Sequence, residues 1–250
     1  MSHHVTMPIK VANQKTETGN GDVVESVNIF KRTELKYLLT EEQNAAIHKI
    51  IRGHLPQDGF GEYLVQSIYF DTPNWDVIRA SIEKPRYKEK LRLRCYGVPG
   101  ADSSVYLELK KKYNGVVYKR RIASPITDLH SKSPKEIAGE SNSQTGRELS
   151  FYLNSNPVSE KAHISYTRTA FAGAHGLRIT FDTDLRFRAD LLDYQHPQGG
   201  QAVLPEDMTV MEVKATGGMP LWLAQALSEL KIFATTFSKY GAGYKKYILQ

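Results

Sequence analysis

Alternation with a period of two dominates the hydrophobic pattern of this chain. Arg32-Thr-Glu34-Leu-Lys36, Leu91-Arg92-Leu-Arg94, Leu107-Glu108-Leu-Lys110 and Glu212-Val-Lys214 each carry charges at every second position. Residues two apart on a strand share a face, so each segment predicts a strand with one charged side and one apolar side. A sheet with one face in water gives the same alternation. Here, however, Lys and Arg recur on one stripe with isolated Glu, where a solvated face more freely uses Thr, Ser and Gln. The alternative is a closed sheet with a cationic interior and a few carboxylates, which suits a polyphosphate accompanied by a divalent metal. Periodicity alone leaves both open.

Strand signals outnumber helix signals elsewhere too. After the first charged strand, Thr40-Glu41-Glu42-Gln43 reads as a capping box, and Ala45, Ala46, Ile47, Ile50 and Ile51 keep helical spacing up to Gly53. Tyr63 to Asp71 predicts a strand stopped by Thr72-Pro73, and a short helix is expected around Asn74 to Ser81. Further strands are predicted at Lys88 to Tyr96, Val105 to Lys112 and Val116 to Ile122. The last two are joined through Tyr113-Asn114-Gly115, and Asn-Gly predicts an antiparallel hairpin. Ser131 to Leu153 reads as helix and loop. Strands resume at Ala162 to Phe171, Gly176 to Asp184 and Thr209 to Ala215, and Pro220 to Phe233 predicts an amphipathic helix. Without a repeat or an internal linker, one α+β domain from residue 28 to 250 is the economical organisation. Met1 to about Val27 is polar, has no apolar period and reads as a disordered tail.

Composition narrows the partners. A net charge of +6 and an isoelectric point near 9.2 predict anionic ones, without separating RNA, membrane surface, nucleotide and inorganic phosphate. No segment has the apolar core of a secretory signal or the roughly twenty apolar residues of a membrane span, so a soluble, cytoplasmic protein is expected. Cys95 is the single cysteine, which excludes an internal disulfide and a cysteine-based zinc site. None of the eight histidines has metal spacing.

The order of short motifs carries a resemblance. To those above it adds Ser67-Ile-Tyr-Phe-Asp71-Thr, Tyr118-Lys119-Arg-Arg121, Tyr166-Thr-Arg168, Leu177-Arg178-Ile-Thr-Phe-Asp182-Thr, Met211-Glu212-Val-Lys214 and Ser238-Lys239-Tyr. From about Asn28 to the C-terminus the chain resembles the catalytic domain of the vacuolar transporter chaperone (VTC) polyphosphate polymerases. These belong to the triphosphate tunnel metalloenzymes, or CYTH superfamily. The resemblance implies a closed, eight-stranded antiparallel tunnel with flanking helices, which transfers the terminal phosphate of ATP to a growing polyphosphate chain. It also implies a divalent metal, manganese or magnesium. The implied donor clamp is Lys36, Arg92, Arg94, Lys119, Arg168 and Arg178, with Lys110 and Lys239 along the product and Arg32, Arg121 and Lys214 as further phosphate contacts. Glu212 matches the metal position, and Glu34 and Glu108 are further candidates for it. Phosphoryl transfer rests mainly on positioning and on cations that stabilise charge, so no Ser-His or Cys-His pair is required.

Arg32 departs from the Glu-x-Glu-x-Lys opening typical of the hydrolytic branch, which removes a metal ligand and adds a phosphate contact. The eukaryotic polymerases' inositol-pyrophosphate sensor and membrane helices have no counterpart in this sequence. Simpler readings stand beside these roles. Glu108 and Glu212 sit where each neutralises a neighbouring Lys, and Lys111 and Lys112 read as solvated edge charges. Asp71 and Asp182 precede Thr at predicted strand ends, where turn formation accounts for them. Tyr69, Phe70, Phe171 and Phe181 read as packing residues. Two other functions fit the same charges: a tripolyphosphate or nucleoside triphosphate hydrolase, and a non-catalytic binder of polyanions.

Overall fold

The computed structural model describes residues 6–17, 23–114 and 116–249, with side chains described from Thr33 onward. In chain order the elements are β1 (Thr6–Glu17), β2 (Val23–Leu39), α1 (Glu41–His54), β3 (Gln57–Asp71), α2 (Asp76–Ile82), β4 (Tyr87–Tyr96), β5 (Ser104–Tyr113), β6 (Val116–Pro125), α3 (Pro134–Glu140), α4 (Gln144–Ser155), β7 (Ser159–Ala172), β8 (Arg178–Arg188), β9 (Gln201–Ala202), β10 (Thr209–Thr216), α5 (Leu221–Glu229) and α6 (Lys239–Tyr247). The strands form one antiparallel sheet in the order β1-β2-β10-β8-β7-β3-β4-β5-β6, with β9 beside β8.

The sheet curls. Lys36 on β2 and Lys90 on β4 are separated by four intervening strands, yet Lys36 Nζ donates to the Phe237 carbonyl at 3.0 Å and Lys90 Nζ to Ser238 Oγ at 3.2 Å. Charged stripes from distant strands therefore face one another. The expected count of eight strands needs correction: ten described strands share the sheet, whose edges β1 and β6 approach each other without a hydrogen-bonded ladder. The reason is that β1 occupies the free edge of β2, from Thr6↔Thr33 to Glu17↔Val23. The side chains of that stretch, Arg32 included, lie outside the described residues.

The outer face carries most of the apolar core. Leu39, Phe171, Phe181, Met211 and Val213 pack under Ile47 and Ile51 of α1 and Leu223 and Leu227 of α5. Ile68, Leu91, Leu93, Leu107 and Leu109 pack under Leu149 and Tyr152 of α4. These are the apolar partners of the alternating charges, so burial of one face fixes the register that turns the charges to the other. A third cluster joins Val65, Ile164, Leu185 and Phe187 to Ile78 of α2 and to Tyr240 and Tyr244 of α6.

Local signals account for several boundaries. The Thr40 side chain accepts from Gln43 N and the Gln43 side chain accepts from Thr40 N, the reciprocal capping box. Tyr113 pairs with Val116 across the β5–β6 hairpin, and Asn114 follows Tyr113 at φ +45°. Asp71 ends β3 by accepting from Thr72 N, Val77 N and Ile78 N, which caps α2, and it also accepts from Tyr240 Oη at 2.8 Å. Helix α6 has no counterpart among the predicted elements. Gly241 and Gly243 weaken its helical signal, but Gly243 is needed because a Cβ there would collide with the Phe187 ring.

Candidate active site

Register places the cations in cross-strand rows. Lys90, Lys110 and Lys119 lie opposite one another on β4, β5 and β6, as do Arg92, Glu108 and Arg121. Glu108 is only 2% exposed and anchors the second row. Its carboxylate takes Arg92 Nη2 at 2.7 Å, Lys119 Nζ at 2.8 Å and Arg121 Nε at 2.6 Å, with Arg94 Nε at 3.9 Å. Burial alone would raise its pKa, but Arg92, Arg94 and Lys119 hold it well below the usual carboxylate range. The geometry does not pair Glu108 with Lys110; both its oxygens are committed to other cations, so it orients a basic wall. Arg94, 8% exposed, is steadied by Ser67 Oγ at 3.3 Å and Tyr166 Oη at 3.4 Å.

A second anchor is Asp182. It lies inside β8 rather than at a strand end, which corrects the turn reading. Its buried carboxylate receives Arg168 Nε at 2.6 Å and Nη2 at 2.8 Å, and Lys239 Nζ at 2.6 Å. Burial would raise its pKa, but Lys239 and Arg168 lower it. Arg168 lies opposite Asp182 in the ladder, while Lys239 arrives from the first turn of α6, so helix docking and strand register meet on one carboxylate.

Glu212 on β10 is 7% exposed, ion-paired to Lys214 and 3.9 Å from Lys36. Burial opposes its charge, yet Lys214, Lys36 and Lys239 hold its pKa well below normal. Glu34 lies opposite Lys214 on β2, and Glu34 and Glu212 both act electrostatically on Lys110 across the curl. Among the described residues no group of three or more His, Cys, Asp and Glu side chains forms a metal cage. An ionised carboxylate at Glu212 with Glu34 on the neighbouring strand still fits magnesium or manganese, which bind through one or two carboxylates with phosphate and water completing the shell.

Arg178 stands apart from these anchors, paired to Asp58 at 2.8 Å and 3.4 Å from Tyr63 Oη. Three residues of this face have no site role in the sequence analysis. Lys90 extends the Leu-Arg-Leu-Arg stripe by one step and lies within the face, with Lys88 a step further, a signal present in the spacing. Burial first, then Lys88, Lys36, Lys110 and Arg92, push its pKa down to about 7. Tyr69 was read as packing, but its hydroxyl accepts from Arg92 Nη1 at 3.0 Å while its ring stacks on Tyr240. Tyr166 meets Arg94 by its hydroxyl and Lys239 by its ring, 4.7 Å from the ammonium.

The VTC domain matches residues 31–248, a span that contains every anchor described above. The chain belongs to the VTC-domain family. No curated protein matches it. Among solved structures, this VTC-domain chain is similar to a Hippeastrum protein described as a putative adenylyl cyclase with a dominant triphosphatase activity. Identity is 15%, TM-score 0.51, and the match covers 85% of this chain and 95% of the other. The PH1819 protein of Pyrococcus horikoshii OT3 matches at 16% identity and TM-score 0.46, over 86% and 99% of the two chains. The Hippeastrum likeness shows that this chain shares that protein's fold. No helix among the described residues is long and apolar enough to cross a membrane.

Proposed function

We propose that this VTC-domain protein is a metal-dependent polyphosphate polymerase. It transfers the terminal phosphate of ATP to a polyphosphate chain held within the curl of the sheet, which acts as a closed tunnel. The observation that carries the reading is the length of the cationic stripe beyond its anchored centre. From Lys88 to Arg94 it runs about 20 Å at roughly 3.3 Å per residue, longer than three linked phosphates. Among the described residues Lys88, Lys90 and Lys110 make no ion pair with a carboxylate, which suits an anionic product extending past the donor.

In this account Arg92, Arg94, Lys119, Arg168, Arg178 and Lys36 clamp the donor, with Arg121 and Lys214 as added contacts and Lys110 and Lys239 along the product. Arg32, whose side chain lies outside the described residues, is assigned as a further phosphate contact. The guanidiniums offer planar forks for bidentate phosphate contact, and their buried carboxylate partners pre-orient them. A terminal oxygen of the acceptor attacks the γ-phosphorus, the bond to the β–γ bridging oxygen breaks, and ADP leaves with that electron pair. Glu212, with Glu34, would hold a divalent metal that neutralises phosphate charge. Glu108 holds the wall rather than the metal.

Two expected results bear on the clamp. Arg94→Ala weakens tripolyphosphate binding by about 1.5 to 3 kcal/mol, the range for a hydrogen bond to a charged group, as read by titration calorimetry. Lys90 carries its charge below pH 7 and loses it above, so its contribution to anion binding falls as pH rises from about 6 to about 8. Lys90→Met removes that part of the pH dependence, and an unchanged profile contradicts the role.

A hydrolase is the second reading, favoured by the triphosphatase activity named for the Hippeastrum protein. Tripolyphosphate supplied alone separates the two. Rapid release of orthophosphate favours the hydrolase, and its absence favours the polymerase.

A further inference from the structure

We propose that the end of the charged face at which β4 finishes is a nucleobase subsite, formed by Phe60, Tyr63, Tyr96 and Tyr106. The inference rests on the nucleoside triphosphate reading above and locates the part of the donor that the cations do not hold. Alternation puts Tyr96 on the same face as Arg92 and Arg94, Tyr106 on the face of Glu108 and Lys110, and Tyr63 on the face of Ser67 and Tyr69. The four rings form a chain of edge contacts: Phe60 to Tyr63 at 6.1 Å, Tyr63 to Tyr96 at 6.2 Å and Tyr96 to Tyr106 at 5.8 Å, each steeply inclined. In every such pair one ring presents an edge and keeps its own faces free of that partner.

The rings are tied directly to candidate phosphate ligands. Arg121 Nη2 donates to Tyr96 Oη at 3.0 Å, and its guanidinium lies 4.3 Å from the centre of the Tyr106 ring. Arg178 Nη2 reaches Tyr63 Oη at 3.4 Å. An anion held by these guanidiniums therefore has the tyrosine side chains as its next neighbours. Phe60 is 78% exposed, and it stands beside Gly61 at φ +64°, where β3 slips its register with β7 between Gln57 and Glu62. A bulge of this kind re-aims a side chain at the rim of a site, here keeping a large apolar ring in water beside three tyrosines.

The opposite end of the stripe differs. There Lys88 faces Lys112 across the ladder, and Tyr87 and Tyr113 fall by alternation on the other face of the sheet. Aromatic platforms recognise any base through its π-face, so the ligand class is a nucleoside triphosphate entering base-outward at the aromatic end.

The test is calorimetric titration of the full chain with ATP and, separately, with tripolyphosphate, which has the phosphates but no base. Phe60→Ala is expected to weaken ATP binding at least about fivefold, the low end of a lost base–aromatic stack, and to leave tripolyphosphate binding within twofold. Phe60→Trp restores ATP affinity, and Tyr96→Leu weakens ATP more than tripolyphosphate. Equal losses for both ligands, or no loss for ATP in either variant, overturn the subsite. A wild-type chain that binds tripolyphosphate but not ATP also overturns it while leaving the triphosphate site standing. Binding of neither removes both.

Discussion

Asp182→Ala is expected to lower stability by about 3 to 5 kcal/mol, the cost of breaking a buried ion pair by removing one partner. Its carboxylate is fully buried and holds Arg168 and Lys239 together, so its loss leaves two cations enclosed without compensation. At roughly 2 to 4 °C per kcal/mol for a chain of this size, melting falls by about 6 to 20 °C. The sign with pH follows from the lowered pKa of Asp182. Its stabilisation is fully present above the unfolded carboxylate value of about 3.9 and is lost as pH falls through the lower folded value. The difference between wild type and variant therefore persists across neutral pH and shrinks only in acid. Thermal melts at pH 7 check this, and a variant melting within 2 °C of wild type means that Arg168 and Lys239 find other partners.

Glu212→Gln separates metal placement from phosphate binding. The carboxylate is buried, ionised and surrounded by Lys214, Lys36 and Lys239, so the amide keeps its shape while removing a charge from the cationic wall. If Glu212 holds the metal, the variant loses turnover by about 10²- to 10³-fold, the effect of removing one electrostatic contribution to a charged transition state. Nucleotide affinity without metal stays level or rises, because the lysines lose a competing anion. The check is turnover against manganese concentration beside ATP binding in a chelator. Turnover at the wild-type rate means that Glu212 serves only to balance Lys214.

Much of this arrangement is legible in the sequence, because period-two alternation fixes which face each charge occupies. Arg92, Arg94, Glu108 and Lys110 are readable in this way, since Leu91, Leu93, Leu107 and Leu109 bind the opposite face to the core. What alternation does not give is the partner across the ladder. Asp182 was legible as a turn residue from its following Thr, and only the register of β7 on β8 brings Arg168 opposite it. Glu108 was legible as a neighbour of Lys110, two positions along its own strand, but its charge meets partners across the ladder, which lie on β4 and β6. Helix α6 was hidden by Gly241 and Gly243, which weaken the helical signal, although Gly243 is what lets the helix approach Phe187 closely. The aromatic rim was illegible because Phe60 is re-aimed by a slipped register that leaves no period.

The central claim is tested most directly by incubating the purified protein with ATP and manganese, resolving the products on a gel stained for polyphosphate, and assaying ADP and orthophosphate in the same samples. The account predicts long chains with ADP formed in proportion to the phosphate incorporated. Orthophosphate released without chains contradicts it in favour of the hydrolase, and tight triphosphate binding without turnover contradicts it in favour of a polyanion binder.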